Sequence, residues 1–241
     1  MKTVIVFKLC KDPRDANIGP DGTVDFGMAS LKASDDDFRS TEIAKLLSTE
    51  TAGLTIGSGD TAWAAARGAS ETTVITDADE SEDKTGTARL LASAVRDMDA
   101  DLVLIGDSTW EPSVPVLLGA ELGWTSLAGI VDVKQNENGY TAVRRTSSGE
   151  KEIRFAAPAV LGIVAKSGEE TPPGLKQVLM ARKKPVRKVL KADLCKEISE
   201  HADHIGYELP ETTDAVMISA QTPEETVKKL FAVLKEDGVL Q

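Results

Sequence analysis

Polar and glycine-rich turns follow several apolar segments of the sequence, and they hold the residues that could contact a ligand. They are the loop after Lys8, the turn Gly57-Ser58-Gly59, the loop Gly106-Asp107-Ser108-Thr109 and the helix start near Pro112-Ser113. Loops at the carboxyl ends of parallel strands bind the ligands of open α/β sheets, because helix N-termini and free backbone N–H groups converge there. The pattern therefore indicates a binding site for a small polar ligand.

Side chains that could perform covalent catalysis are not grouped in the sequence. Ser108 and Ser113 lack the strand-turn-helix context of a nucleophile. His201 and His204 are three residues apart without a carboxylate or cysteine at metal-ligand spacing, so we expect them to be solvated or to cap a helix. The turn at 57–59 has neither the third glycine of a dinucleotide fingerprint nor the lysine of a phosphate loop, and equally fits an ordinary tight turn. We predict binding without catalytic residues and without a metal.

Strand-like and helix-like segments alternate over the first 106 residues. Apolar and β-branched runs predict strands at 3–8, 54–56, 72–76 and 101–106. The intervening segments predict helices from Ser34 to about Leu47, from Asp60 to Arg67 and from Lys84 to Met98. Ser34 can cap the first helix, and the aspartates at 35–37 favour its positive end. This alternation predicts an α/β fold with a parallel sheet.

The pattern changes after Trp124. Runs at 130–134 and 140–146 flank the turn Asn136-Glu137-Asn138-Gly139 and predict an inserted β-hairpin. The apolar run 158–164 predicts a strand buried on both faces. Near the end, Thr222-Pro223-Glu224-Glu225 predicts a capped helix with Val227, Leu230, Phe231 and Leu234 as its apolar residues.

Composition and charge argue against a membrane-spanning, secreted or nucleic-acid-binding protein. The 241 residues are 41% hydrophobic and 28% charged, and no apolar run approaches the ~20 residues of a membrane span. The segment before Lys8 has too few apolar residues for a secretion signal, so we expect a soluble protein of the cytoplasm. A net charge of −11 argues against nucleic-acid binding. Cys10 and Cys195 are far apart, and we expect both to be reduced and structural.

A basic run, Arg182-Lys183-Lys184-Pro185-Val186-Arg187-Lys188, interrupts this acidic sequence. Pro185 lies at its centre and breaks helices. On charge pattern alone the run predicts a solvated arm.

Several segments, taken in order, resemble the β-subunit family of electron transfer flavoproteins, also called the FixA-like family. They are Val4-Ile5-Val6-Phe7-Lys8, Ser34-Asp35-Asp36-Asp37 with Glu42 and Ala44, the strand 101–106, Leu122-Gly123-Trp124 and Pro158-Ala159-Val160. The most specific similarity runs from Leu175 through Val178-Leu179-Met180-Ala181 to Arg182-Lys183-Lys184-Pro185.

The resemblance implies a Rossmann-like nucleotide-binding domain in a heterodimer. The α-type partner would hold most of the FAD, and this chain would bind AMP or a second FAD. The residues that the resemblance places at the nucleotide are Val6, Lys8, Ser34, Asp36, Asp37, Ile56, Gly57, Asp107, Ser108, Ser113 and Val114.

The resemblance also implies how the chain is divided. Residues 1–181 would form the nucleotide-binding domain, with a partner-recognition loop at about 167–181 whose Leu175 inserts into a pocket of a flavin dehydrogenase. Residues 182–241 would form an arm and a helix that contact the α-type subunit. The implied function is relay of electrons from that dehydrogenase by a carrier that is not itself an enzyme.

Two other functions compete with this interpretation. One is a non-redox regulatory module with the architecture of universal stress proteins, which would not need the segment 175–188. The other is an ATP-cleaving pyrophosphatase-type enzyme, which the missing phosphate loop disfavours. One local difference from the resembling family concerns Ser113-Val114-Pro115, where the family has Gln-Thr-Gly or Gln-Val-Gly. Pro115 has no N–H, so we expect weaker binding of a phosphate.

Overall fold

The computed structural model describes residues 1–47, 50–57, 59–78, 83–107, 113–165, 172–194 and 215–240. Seven residues discussed above lie outside these ranges: Ser58, Ser108, Thr109, Pro112, Cys195, His201 and His204. Within the ranges, every helix is too short or too polar to cross a bilayer.

Five described strands, four of them only two residues long, precede the first α-helix, and helices and strands then alternate as far as the ninth strand. The strands are β1 (Lys2–Val6), β2 (Cys10–Lys11), β3 (Asn17–Ile18), β4 (Val24–Asp25), β5 (Leu31–Lys32), β6 (Glu50–Ile56), β7 (Glu71–Thr76), β8 (Leu102–Gly106), β9 (Thr125–Asn136), β10 (Gly139–Thr146), β11 (Gly149–Phe155), β12 (Ala159–Ile163) and β13 (Val186–Leu190). The α-helices are α1 (Asp35–Leu46), α2 (Trp63–Ala66), α3 (Lys84–Arg96), α4 (Val114–Leu122), α5 (Leu175–Ala181), α6 (Lys191–Leu194) and α7 (Pro223–Glu236).

A nine-stranded sheet forms the centre of the molecule, in the order β11-β10-β9-β12-β8-β1-β6-β7-β13. Neighbours from β9 to β13 are parallel, whereas β10 is antiparallel to both β9 and β11. The predicted α/β fold with a Rossmann-like, mostly parallel sheet is confirmed. The predicted hairpin forms as β9 and β10, and β11 extends it by a strand that the sequence analysis did not predict.

Apolar strand residues separate into two cores because successive side chains point to opposite faces of a strand. Val4 and Val6 of β1 pack in the core beneath α3 and α4, and Ile5 between them packs in the core beneath α1. β8 divides in the same way, with Val103 in the first core and Leu104 in the second. Burial on both faces explains why these strands are continuous apolar runs rather than alternating ones.

The order of connections creates a crevice between β1 and β8. From β1 the chain adds β6 and then β7 on one side, and it then crosses back to place β8 on the other side of β1. The helices that follow these two strands diverge at such a reversal, which leaves an open crevice at their carboxyl ends. Lys8 follows β1 and Asp107 follows β8, so both lie at this edge.

Part of the basic run folds against the sheet rather than extending into solvent. Val186–Leu190 pairs in parallel with β7, and Thr72 N–H donates to the Pro185 carbonyl oxygen at 3.0 Å. Lys184 Nζ donates to the carbonyl oxygens of Ala65 and Ala69 at 3.0 and 2.7 Å. The solvated arm predicted from charge pattern is therefore wrong for this segment, because pairing with β7 satisfies its backbone while its charged side chains stay exposed.

Candidate functional site

The first turn of α1 is built by reciprocal hydrogen bonds between Ser34 and Asp37. Asp37 N–H donates to Ser34 Oγ at 3.1 Å, and Ser34 N–H donates to Asp37 Oδ2 at 3.1 Å. The Ser34 hydroxyl also donates to Asp37 Oδ2 at 3.0 Å, and the Lys8 backbone N–H bonds to the same carboxyl group. This capping box links the end of β1 to the start of α1.

Two further carboxylates at the same edge are held by backbone N–H groups from distant segments. Ala165 N–H donates to Asp36 Oδ1 at 2.7 Å, and Gly129 N–H donates to Asp107 Oδ2 at 2.7 Å. These bonds span 129 and 22 residues. Both carboxylates are therefore fixed by the tertiary fold, and each keeps acceptor capacity for a ligand.

Two glycines make room for these carboxylates. A Cβ on Gly106 would lie 2.9 Å from Asp37 Oδ1 and 3.3 Å from Ser34 Oγ. A Cβ on Gly162 would lie 3.0 Å from Asp107 Cγ. The sequence analysis did not assign a role to Gly129, Gly162 or Ala165. Gly106 and Gly162 each lie near the carboxyl end of a buried strand. A glycine at such a position indicates that another group approaches the backbone closely, and this pattern could have identified both residues from the sequence.

The environment of the carboxylates raises two pKa values. Burial raises the pKa of Asp37 to about 7, although hydrogen bonds from Ser34 and Lys8 oppose the shift. Burial also raises the pKa of Asp36, with a further contribution from the negative charges of Asp107 and Asp35, while the Ala165 N–H opposes it. Such a site favours a ligand that presents hydrogen-bond donors, and it disfavours an anion directly beside the carboxylates.

The other residues that the resemblance places at the nucleotide lie at the same end of the sheet, on the side of the core beneath α3 and α4. Val6 and Val114 are buried in that core, and Ile56 packs against it. Gly57 follows β6 with φ +86°, and its N–H donates to the Ile75 carbonyl oxygen at 2.9 Å. The buried side chain of Val114 leaves its backbone as the group that a ligand could contact.

Ser113 is the N-cap residue of α4 and has φ 76°. A left-handed conformation is unusual for a residue other than glycine and costs about 1–3 kcal/mol, so the surrounding structure must impose it. At this helix start the Val116 and Leu117 N–H groups already donate to the Ser113 carbonyl oxygen at 3.1 and 3.0 Å, and Pro115 has no N–H. The Val114 N–H, at the first position of the helix, is the donor that points out of the helix end. This helix start is the part of the edge that suits a negatively charged group.

The structure thus brings Lys8, Ser34, Asp36, Asp37 and Asp107 into one cluster beside the β1–β8 crevice. In the described ranges, no three His, Cys, Asp or Glu side chains are arranged to hold a metal ion. The arrangement can accept hydrogen bonds on the α1 side and donate them from α4. It can therefore bind a ligand with a polar end and an anionic end.

Residues 32–194 match the family model of the electron transfer flavoprotein domain. The chain belongs to the electron transfer flavoprotein family. Proteins of this family carry electrons, generally bind flavin, and typically act as heterodimers with electron-transfer partners. In this electron transfer flavoprotein chain the match includes α1, β8, α4 and α5, so it covers most of the candidate site.

The matched region also contains the predicted partner anchor. Leu175 is the first residue of α5, and its side chain is 76% exposed. Leu179 and Met180 of the same helix are also exposed, at 52% and 54%. Gly174 N–H donates to Gln177 Oε1 at 2.8 Å, which fixes the turn before the helix. Leu175 is therefore not a core residue of the chain.

Proposed function

We infer that the chain is the β-type subunit of an electron transfer flavoprotein. In this role it relays electrons from a flavin dehydrogenase through FAD held at the interface with an α-type subunit, and it binds AMP or a second FAD. The observation that carries the proposal is the exposure of α7. An amphipathic helix in a single-chain protein normally buries its apolar face against its own core.

α7 does not do so. Val227, Leu230 and Phe231 are exposed, and no residue of the helix is buried within the chain. The preceding segment is equally uncovered, since Val216 and Met217 are 73% and 89% exposed. Thr222 Oγ1 caps the helix by accepting the Glu225 N–H at 3.3 Å, so its start is locally stabilised. These features support a permanent partner that covers residues 215–240. They support an arm that begins after β13, since β13 itself is a strand of the central sheet.

The candidate site suits an adenine nucleotide by its donor and acceptor chemistry. Ser34, Asp36, Asp37 and Asp107 would face the hydroxyl and amino donors of ribose and adenine, and Lys8, whose ammonium group only donates, would face acceptor atoms of the nucleotide. Ser113 and Val114 would face the phosphate through α4. Ile56 and Gly57 would line the crevice between these two regions. Each ligand group would then meet protein groups of complementary polarity.

The flavin supplies the redox chemistry when it is bound. The chain's own residues would bind and orient the nucleotide and shield it from water. The carboxylates of Asp36 and Asp107, fixed by backbone N–H donors, would hold the nucleotide without reorganising. We assign no proton transfer to them.

Leu175 fits the role of a docking anchor on the surface that meets the dehydrogenase. It is exposed on the same helix as Leu179 and Met180. Lys176 follows it directly, and Arg182 and Lys183 follow the end of the helix, so this exposed segment carries positive charge. Apolar anchors in a charged rim are typical of transient interfaces, where the rim accelerates encounter. The competing proposal, a free-standing regulatory module, does not account for this surface or for α7.

Co-expression with an α-type subunit tests the proposal. We expect the two chains to copurify as a yellow heterodimer whose acid extract contains AMP or FAD beyond the amount assigned to the α-type subunit. The chain purified alone should be colourless or only weakly flavinylated. A monomer that binds nucleotide and neither pairs with an α-type chain nor accepts electrons would support the regulatory module instead.

A further inference from the structure

β9 contains a β-bulge where it passes the candidate site. Leu127 and Ile130 of β9 pair with Leu161 and Ile163 of β12, so β9 advances by three residues while β12 advances by two. The register between β9 and β10 also shifts beside this point. The extra residue of a bulge bends its strand and turns backbone groups in a new direction, and bulges are common next to functional sites.

Gly129 lies in this bulge, and its N–H group is directed at a carboxylate of the site. Its φ of +72° is left-handed, a conformation that glycine adopts without steric cost. The Gly129 N–H donates to Asp107 Oδ2 at 2.7 Å. Gly162 stands between the paired residues of β12 and leaves room for the carboxyl group, since a Cβ there would lie 3.0 Å from Asp107 Cγ. The bulge therefore supplies the donor that fixes Asp107.

Two arginines bind backbone carbonyl oxygens on either side of Gly129. Arg144 of β10 donates from Nε to the Ala128 carbonyl oxygen at 2.7 Å. Its side chain crosses the glycine, because a Cβ on Gly129 would lie 3.7 Å from Arg144 Cγ and 3.8 Å from Arg144 Nε. Arg39 of α1 donates from Nε and Nη2 to the Val131 carbonyl oxygen at 3.3 and 3.1 Å. The backbone of the bulge is thus held from β10 and from α1.

Arg144 and Asp107 bind the two ends of one peptide unit. The Ala128 carbonyl oxygen accepts from Arg144, and the Gly129 N–H of the same planar amide donates to Asp107. The amide cannot rotate its N–H away from Asp107 without also breaking the bond from Arg144. A positively charged donor on the oxygen polarises the amide, which strengthens its N–H as a donor to the carboxylate.

We propose that Arg144 is a positioning residue of the nucleotide site: by holding the Ala128–Gly129 peptide, it fixes the Asp107 carboxylate in the orientation that accepts donors of the ribose or the adenine. This inference rests on the proposed function. It extends the site to β10, a strand of the antiparallel part of the sheet that does not border the β1–β8 crevice. Arg144 acts through Asp107 and makes no contact with the nucleotide itself.

The test titrates AMP by calorimetry into the full-length chain after removal of bound nucleotide. Arg144→Met keeps the length of the side chain but removes its donor. Arg144→Gln has the same neutral charge and places an amide nitrogen where Arg144 has Nε, so it can still donate to the Ala128 carbonyl oxygen. Arg145→Met is the control, because Arg145 is the exposed arginine next to Arg144 on the same strand. Melting temperatures establish that each variant is folded.

We expect Arg144→Met to raise the Kd for AMP about tenfold, Arg144→Gln to stay within about threefold of the wild type, and Arg145→Met within about twofold. Asp107→Ala should also raise the Kd about tenfold. When Arg144→Met is added to Asp107→Ala, the Kd should change by no more than about twofold, because residues that act as one unit are not additive.

Gly129→Ala tests the same peptide if Arg144→Met does not fold. A Cβ on Gly129 would lie no closer than 3.6 Å to its nearest neighbour, so the substitution opposes the left-handed conformation rather than the packing. It should raise the Kd for AMP about tenfold in the wild-type chain and by no more than about twofold in Asp107→Ala.

Four results would overturn the inference. If Asp107→Ala weakens AMP binding but Arg144→Met and Gly129→Ala do not, the peptide does not position Asp107, and the proposed nucleotide site stands. If Arg144→Gln binds as weakly as Arg144→Met, Arg144 acts by its charge rather than through the peptide. If the effects of Arg144→Met and Asp107→Ala multiply, the two residues act independently. If the wild type does not bind AMP, or Asp107→Ala binds it equally well, the proposed site fails together with the inference.

Discussion

Ser34 and Asp37 exchange three hydrogen bonds of 3.0–3.1 Å at the start of α1, and both side chains are buried. The pair satisfies the backbone N–H groups of Ser34 and Asp37, yet it also places a carboxyl group where ionisation is unfavourable. A Cβ on Gly106 would lie 2.9 Å from Asp37 Oδ1, so the carboxyl group fits beside β8 because that residue is glycine.

The raised pKa of Asp37 predicts a pH-dependent stability. Its folded pKa is about 7 and its ordinary value is 3.8, so the folded chain binds more protons than the unfolded chain between these values. The free energy of unfolding should therefore decrease as the pH rises from about 4 to about 7, by at most about 1.4 kcal/mol per pH unit from this group.

Asp37→Asn should reduce this slope, because an amide oxygen can still accept the Ser34 and Lys8 hydrogen bonds but does not ionise. Urea unfolding between about pH 4 and about pH 7 measures the slope in both proteins. Asp25→Asn, on the exposed strand β4, provides the control with an equal loss of charge. Identical slopes for Asp37→Asn and the wild type would contradict the assignment to Asp37.

Leu175→Ala should weaken docking without weakening the fold. Truncation of a central anchor costs about 2 kcal/mol or more of binding free energy, whereas substitution at an exposed position changes stability by about 0.5 kcal/mol or less. Dye reduction by the dehydrogenase and a thermal melt measure the two quantities separately. Leu46→Ala, which truncates a leucine of similar exposure on α1, is the control. A large decrease in melting temperature for Leu175→Ala would argue against the docking role.

Pro115→Ala should strengthen nucleotide binding by up to about 1 kcal/mol, because it restores one N–H donor in the first turn of α4. The Pro115 carbonyl oxygen accepts a hydrogen bond from Ser126 Oγ at 3.0 Å, and alanine retains that acceptor. Calorimetric titration with AMP measures the effect. Pro223→Ala, which changes the corresponding first-turn proline of α7, should have none. Unchanged AMP affinity in Pro115→Ala would remove the explanation.

Phe231→Asp should prevent pairing with the α-type subunit, because it places a charge in the apolar face of α7. The isolated chain should keep its melting temperature, since Phe231 is 53% exposed there. Ala232→Asp introduces the same charge on the neighbouring exposed residue, about 100° further around the helix, and should pair better. Size-exclusion chromatography of the co-expressed chains reports the result. Normal heterodimers with Phe231→Asp would show that another surface forms the interface.

Much of the secondary structure could be predicted from the sequence because its causes are local. Continuous apolar runs identified β1, β8 and β12, since a strand covered on both faces needs apolar side chains throughout. Ser34 and Thr222 identified the starts of α1 and α7, since a cap acts within one helical turn. The predicted ends of the elements were less accurate than their types. β6 and β9 extend beyond the predicted strands at 54–56 and 130–134, and α2 spans four residues of the helix predicted at 60–67. Pairing with neighbouring strands, rather than composition, decides how far a strand extends.

Contacts between segments that are distant in the sequence were decided only by the tertiary structure. The basic run looked like a solvated arm, yet β13 lies beside β7 because their backbone groups pair and Lys184 reaches the carbonyl oxygens of Ala65 and Ala69. The sequence alone placed Asp36 at a helix start and Asp107 in the loop after a buried strand, and the resemblance to a family implies their role. Their fixation by Ala165 and Gly129 depends on the strand order β9-β12-β8-β1, which joins segments up to 129 residues apart. Local preferences carry no information about such pairings, because the energy that selects them arises only when the whole sheet has formed.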